Sequence, residues 1–272
     1  SNWNKKDHFY DIMCGSGTIP IEAAMIAFNI PPRILRDDYA FKKWDNYDRK
    51  LWQSVKNNAE DNINFDNEIK IYGGLDPVTN EGIERALGVQ LQYSYFPIRE
   101  AELNANIEYN TIKPGESVDV GAAKITPILL SHPVLNFGYR IDCDGQSIFF
   151  TGDYEPLFNI YQPQDNEYEE YQAFIDQKQQ QIISAMKDVD ALIIDSSYTI
   201  EEYSTKEGWG HGTYSSAIQL ANESNAKNLF LTHHEPTRTD DQLEQIYQQL
   251  LKDNPNLKYD IILAKEDQGI IL

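Results

Sequence analysis

The sequence predicts an α/β chain, on three observations. In the last third, apolar runs and helical stretches alternate: ALIID, HGTYSSAIQLANES, NLFLT, DDQLEQIYQQLLKDN and YDIILA. Near the start, the apolar run Phe9–Met13 ends in a glycine loop that opens into another helical stretch. Between these ends lie short strand-like runs, YSYFPI, NIEYN, SVDV and KITPILL, closely spaced and punctuated by turn residues. No internal repeat interrupts this order.

Taken in sequence, Phe9–Met13 reads as a strand and Cys14-Gly15-Ser16-Gly17-Thr18 as the tight turn after it. The helix that follows, IPIEAAMIAF, places Ile19, Ala23 and Ile26 on one face, with Glu22 in the first turn, where the helix dipole favours a carboxylate. Strand, glycine loop and helix form the opening of a nucleotide-binding βα unit, because glycines admit a ligand close to the backbone and the helix start offers free N–H groups. Asp37–Asn64 is helical in part, with Leu51, Val55, Ala59 and Ile63 at intervals of four. EIKIYGG is a short strand, and VTNEGIERAL a helix capped by Thr79 or Asn80.

The middle strands are separated by turns at Lys113-Pro114-Gly115-Glu116 and at Gly121. A hairpin from about Tyr139 to Thr151 is expected around Asp144-Gly145, a pair that tolerates positive φ at both positions. Tyr168–Val189 reads as a long, mostly exposed helix whose apolar face carries Tyr171, Phe174, Ile175, Ile182, Ile183 and Met186.

At 272 residues the chain is one large domain or two small ones, and 41% hydrophobic content suffices for a core. Its formal net charge is −20, unevenly spread. Residues 1–66 hold 9 Lys+Arg and 10 Asp+Glu, which leaves 14 and 33, a balance of −19, for the remainder. Such a surface repels nucleic-acid backbones and anionic membranes, so a phosphate-ester substrate would need a local cation. Two cysteines, Cys14 and Cys143, make no disulfide framework, and with no signal-like start or membrane-length apolar run they fit a cytoplasmic protein.

Four strand-like runs each end at or beside a metal-competent or proton-transfer side chain: His132, Asp153, Asp195 and His233. One such residue is ordinarily a strand-end polar group facing water. Four together point to a shared site, because packed sheets gather the carboxyl ends of their strands.

Longer strings carry two resemblances. HPVLNFGYRID, FFTGDYEP, DSSYT with GWGHGTYSSA, and LFLTHHEP resemble motifs of the metallo-β-lactamase superfamily, in the branch of tRNase Z and related phosphodiesterases, over about residues 67–272. The resemblance implies an αββα sandwich holding two zinc ions. His132 would be a ligand of the first zinc, Asp153 the bridge and His233 a ligand of the second. Asp195 and His211 would form a catalytic proton-handling pair that binds no metal. Without that resemblance, His211 reads as a loop residue near a helix cap and Asp195 as a turn cap with Ser196. His234, beside a ligand, should turn its side chain the other way in an extended strand.

DIMCGSGTIPIEAAMIAFNIPP resembles the first AdoMet-binding motif of class I methyltransferases, nearest to the 23S rRNA guanine-N2 enzymes, and YAFKKWDNYDRKLW the segment that follows. By that resemblance a Rossmann-like βα fragment would line an AdoMet loop with Asp11, Cys14, Gly15, Ser16 and Gly17.

Both resemblances are partial. The methyltransferase likeness stops near Asn64, and no later Asn/Asp-Pro-Pro-Tyr-type motif follows. The hydrolase likeness lacks the His-x-His-x-Asp-His cluster: the five histidines are His8, His132, His211, His233 and His234, and no pair lies two apart. The expectation is a truncated methyltransferase-like segment, 1–66, joined to an incomplete hydrolase sandwich, 67–272. A joint between two truncated genes or reading frames near residue 66 accounts for both gaps. Weak or absent zinc retention follows, with little hydrolysis of a small-molecule or phosphodiester substrate and no AdoMet binding. Two alternatives stand beside the impaired hydrolase: a methyltransferase remnant, and a non-catalytic module that self-associates through exposed sheet edges.

Overall fold

The computed structural model describes residues 23, 25–31, 39–63, 68–94, 106–265 and 269–271. The chain divides into two compact units, Ser1–Thr111 and Ile112–Leu272. Among the described residues no helix is long and apolar enough to cross a membrane.

In the first unit, a 3-10 turn at Ala40–Lys43 precedes helix α1 (Arg49–Asp61), and strand β1 (Glu68–Gly74), helix α2 (Ile83–Gln90) and strand β2 (Asn106–Ile112) follow. Asp48 caps α1, its Oδ1 accepting from the Lys50 and Leu51 N–H groups at 2.8 and 3.0 Å. The interval-of-four stripe does not bury: Leu51 and Val55 are 62% and 52% exposed. Aromatic packing on the neighbouring face takes its place, with Trp52 lying 4.9 Å from Phe41 and 5.3 Å from Tyr39 between ring centroids. Helix α2 also departs from expectation. Its N-cap is Gly82, without a side-chain cap, because the Thr79 hydroxyl is committed to Asp76 at 2.7 Å and Asn80 sits at φ +58° in the preceding turn. Of the expected strand YSYFPI, Tyr93 and Ser94 lie in a turn and the rest falls outside the described residues.

The second unit is built on one seven-stranded sheet: β3 (Val118–Val120), β4 (Ala123–Leu129), β5 (Phe137–Cys143), β6 (Gln146–Phe150), β7 (Ala191–Asp195), β8 (Asn228–Thr232) and β9 (Asp260–Leu263), in that spatial order. Pairing is antiparallel from β3 to β6 and parallel from β6 to β9. Asp144 and Gly145 make the hairpin turn with φ of +51° and +82°. Pro127 is tolerated inside β4 because its carbonyl points away from β5, accepting from Gly115 N–H at 2.7 Å, so the missing N–H costs no bond to β5.

Helices α3 (Tyr168–Met186), α4 (Ile200–Tyr203), α5 (Tyr214–Ser224) and α6 (Asp240–Asp253) complete the unit. Phe149, Leu192, Leu229 and Ile261 lie on one sheet face by register, and Ile194, Leu231 and Leu263 extend it two residues on. This face packs into one core with Ile182, Ile183 and Met186 of α3 and Ala217, Ile218, Leu220 and Ala221 of α5. Capping boxes at Thr213 with Ser216 and Thr239 with Gln242 start α5 and α6 immediately after the loops that carry the histidines.

Asp190 fastens the start of β7 to both neighbours. Its carboxylate accepts from Ser147 N–H at 2.7 Å and from Lys227 Nζ at 2.6 Å. The Lys227 ammonium and the Ser147 amide hold its carboxyl below the usual range. A depressed folded-state pKa adds stability above the unfolded value of about 3.9 and loses it as pH falls through the folded value. Asp190→Asn should therefore melt lower than the parent at neutral pH, with the gap narrowing as pH falls below the unfolded value of about 3.9. Thermal melts across that range check this, and a gap that stayed constant would rule out the charge as its cause.

Candidate functional site

The topology explains why four separated side chains meet. Strand β4 is antiparallel to β5, which is antiparallel to β6, so β4 runs in the same direction as β6, β7 and β8. All four end at one edge of the sheet. His132 follows β4, Asp153 follows β6, Asp195 ends β7 and His233 follows β8.

Asp153 stands between two imidazoles, with its Oδ1 3.3 Å from His233 Nδ1 and its Oδ2 3.8 Å from His132 Nε2. The Val134 carbonyl lies 3.1 Å from His132 Nδ1. The Val134 N–H lies 3.3 Å from the same nitrogen, so the ring's tautomer decides which of the two it bonds. Asn136 steadies the turn, donating to the Thr151 carbonyl at 3.1 Å and to that of Asp153. Gly152 takes φ +63°, which re-aims the chain at the end of β6.

Asp195 is 1% exposed and both its oxygens are engaged. Oδ2 accepts from His211 Nδ1 at 2.7 Å and Tyr154 N–H at 3.1 Å; Oδ1 accepts from Ser197 N–H at 3.2 Å and Oγ at 2.9 Å. Burial pushes the Asp195 carboxyl up, against the pull of the His211 and Tyr154 bonds. Holding the His211 proton at Nδ1 leaves Nε2 free to accept or return a proton. The His211 ring stacks on His233 with centroids 4.6 Å apart and meets His132 edge-on at 5.9 Å.

One donor atom from each of Asp153, Asp195, His211 and His233 lies within 4.8 Å of the others. Asp195 is nonetheless a poor metal ligand, since four donors already occupy its oxygens. His132, outside that group, reaches it through Asp153.

The structure thus brings together His132, Asp153, Asp195, His211 and His233. His234 is turned away and half-buried, its Nε2 3.3 Å from the Ala264 carbonyl, and burial lowers its pKa. The reason differs from the expected alternation: His233 takes φ +57°, so the strand has already ended. Asp11, Cys14, Gly15, Ser16 and Gly17, the expected AdoMet loop, lie outside the described residues, as does His8. Sequence reasoning passed over Ser197, whose Oγ also lies 2.6 Å from the His233 carbonyl, and Glu155, buried at 4% exposure beneath the loop that carries His211. Nothing local in the sequence marks either.

A family model described as a beta-lactamase superfamily domain matches residues 79–234, more than half of the chain. A model described as an RMKL-like methyltransferase domain matches residues 1–79. The ribosomal RNA large subunit methyltransferase K/L of Psychromonas ingrahamii is 47% identical over 60 residues, which cover 22% of this chain and 8% of that protein. The putative RNA methyltransferase YpsC of Bacillus subtilis is 30% identical over 118 residues, 41% of this chain and 30% of that protein. The chain therefore spans less than a third of either curated relative. Among solved structures, the metallo-beta-lactamase fold protein YhfI from Bacillus subtilis gives a TM-score of 0.47 at 20% identity, over 73% of this chain and 63% of that one. Zinc-bound PqqB from Methylobacterium extorquens gives 0.49 at 11% identity, over 75% and 64%.

Proposed function

We propose, for a chain that belongs to the beta-lactamase superfamily, that its second unit is the surviving half of a metal-dependent hydrolase site, of phosphodiesterase type, that works poorly because most metal donors are missing. The single observation that supports this best is the convergence of three imidazoles and two carboxylates at one sheet edge, one carboxylate facing two imidazoles and the other hydrogen-bonded to the third.

The donor set does not fit two ions. With the Asp195 oxygens engaged and His211 Nε2 assigned to proton transfer, His132, Asp153 and His233 remain as donors among the described residues. Three donors suit one zinc with an open position. An ion held there would supply Lewis-acid polarisation of a phosphoryl oxygen and the positive charge this acidic unit lacks. The chain's own contribution is at His211: Asp195 accepts from Nδ1 and orients the ring, and Nε2 would deliver a proton to the departing ester oxygen as water bonds to phosphorus and the phosphorus–oxygen bond to that ester oxygen breaks. A net charge of −20 favours a small phosphodiester over a nucleic-acid polyanion.

Zinc analysis after loading and dialysis, with turnover of bis(p-nitrophenyl) phosphate, tests the reading. No more than one ion per chain and slow turnover are expected. Two retained ions would overturn the donor count, and retained zinc without turnover of any phosphodiester would overturn the hydrolase assignment.

On this proposal the chain opens with a methyltransferase-like segment over at least residues 1–79, joined to the hydrolase beyond it. An Asn/Asp-Pro-Pro-Tyr-type motif is not identifiable in these 272 residues. Calorimetric titration with AdoMet should accordingly release no heat above dilution; a saturable isotherm would restore the methyltransferase reading. A cytoplasmic location and self-association through sheet edges belong to the same proposal, and sedimentation checks the latter.

A further inference from the structure

We propose, resting on the hydrolase reading above, that Glu155 is a positioning residue, a buried anionic clamp that seats the loop carrying His211 against His132. Glu155 is 4% exposed, and no ion pair compensates it among the described residues. A carboxylate so placed is costly unless its lone pairs are filled. Here they are filled from one loop. Oε1 accepts from Tyr203 Oη at 2.6 Å and Gly208 N–H at 2.8 Å, and Oε2 accepts from Gly210 N–H at 2.7 Å. Two backbone N–H groups converging on one anion form a cradle of the kind that binds phosphate elsewhere, occupied here by the protein's own side chain.

The consequences fall on both neighbouring imidazoles. Gly210 holds φ +95°, and a Cβ there would come within 2.4 Å of His132 Cδ2, so bare backbone lies against that ring. The next residue is His211. At its own backbone, Glu155 N–H donates to the Ser131 carbonyl at 3.1 Å, immediately before His132. Asp153 lies two residues earlier. One residue therefore ties together the three loops that present Asp153, His132 and His211. Burial and the adjacent Glu155 carboxylate raise the Tyr203 pKa, so its hydroxyl stays a donor to the clamp.

Glu155→Gln keeps the shape, but one terminal group becomes an NH2 that meets an N–H donor head-on. Nuclear magnetic resonance of metal-free protein reads the result at individual groups. In a folded E155Q, amide exchange at whichever of Gly208 and Gly210 then faces the NH2 should accelerate about tenfold or more, the signature of a lost buried hydrogen bond. The imidazole nitrogen signals of His132 and His211 should shift while those of His234, bonded to the Ala264 carbonyl, stay in place. Unchanged His132 and His211 signals in folded E155Q would overturn the proposal, leaving Glu155 a space-filling group. Should E155Q fail to fold, Tyr203→Phe removes one of the three bonds and must move the same signals part-way; unmoved signals there overturn it equally. The readout requires neither metal nor turnover, so failure of the hydrolase reading and failure of the clamp are separately visible.

Discussion

Replacing Asp153 with alanine is expected to weaken divalent-ion binding by at least about a hundredfold, the upper end of what losing even an outer partner of a metal site costs. The carboxylate faces both candidate imidazoles, at 3.3 Å from His233 and 3.8 Å from His132. Without it two donors remain where one ion asks for three or four. The fold should barely register the change, within about 0.5 kcal/mol, because the side chain is 37% exposed and it is the backbone carbonyl of Asp153 that takes the Asn136 bond. Titration calorimetry with zinc, alongside thermal melts with and without a chelator, separates affinity from stability. An unchanged affinity in Asp153→Ala would place the ion on the His211 side, against the four hydrogen bonds that occupy Asp195.

The convergence that makes this prediction was legible in the sequence because it follows from strand direction alone. Strands that run alike end at one edge, and the residue just past each strand is named by its position in the run. The hairpin was legible for the same local reason: Asp144-Gly145 tolerates the positive φ that its turn demands. What stayed hidden depends on chain closure. LFLTHHEP reads as continuing extension, and nothing in it announces φ +57° at His233. Leu51 and Val55 have the period of a buried stripe, but Trp52 offers a larger apolar contact one residue round the helix and takes the packing. Glu155 is a carboxylate in a strongly acidic chain. Its burial is set by backbone amides some fifty residues away, at Gly208 and Gly210, which no local window contains.

Asp195→Asn is the change expected to do most damage, in two measurable ways. An asparagine presents one oxygen and one NH2 where the wild-type carboxylate receives four hydrogen bonds, from His211, Tyr154 N–H and the Ser197 N–H and Oγ. The Ser197 hydroxyl can turn to the His233 carbonyl, 2.6 Å away, and relieve one conflict. If the oxygen stays with His211 and Tyr154, the Ser197 N–H is left facing a donor at a site 1% exposed, at a cost of about 1–3 kcal/mol. If the amide turns round, His211 loses its acceptor and the proton at Nδ1 is no longer specified. In either case His211 Nδ1 no longer faces a carboxylate, so on the hydrolase proposal any phosphodiester turnover by the zinc-loaded protein should fall about 10²–10⁴-fold, the range for a positioned acid or base. Denaturant melts report the first effect and turnover the second. His211→Gln divides them, because it removes the proposed proton carrier yet leaves the Asp195 bonds to Tyr154 and Ser197 in place. Equal turnover losses in the two variants, with the stability loss confined to Asp195→Asn, assign the carboxylate to His211. Wild-type turnover in His211→Gln would leave Asp195 a structural fastening between β7 and the Tyr154 turn.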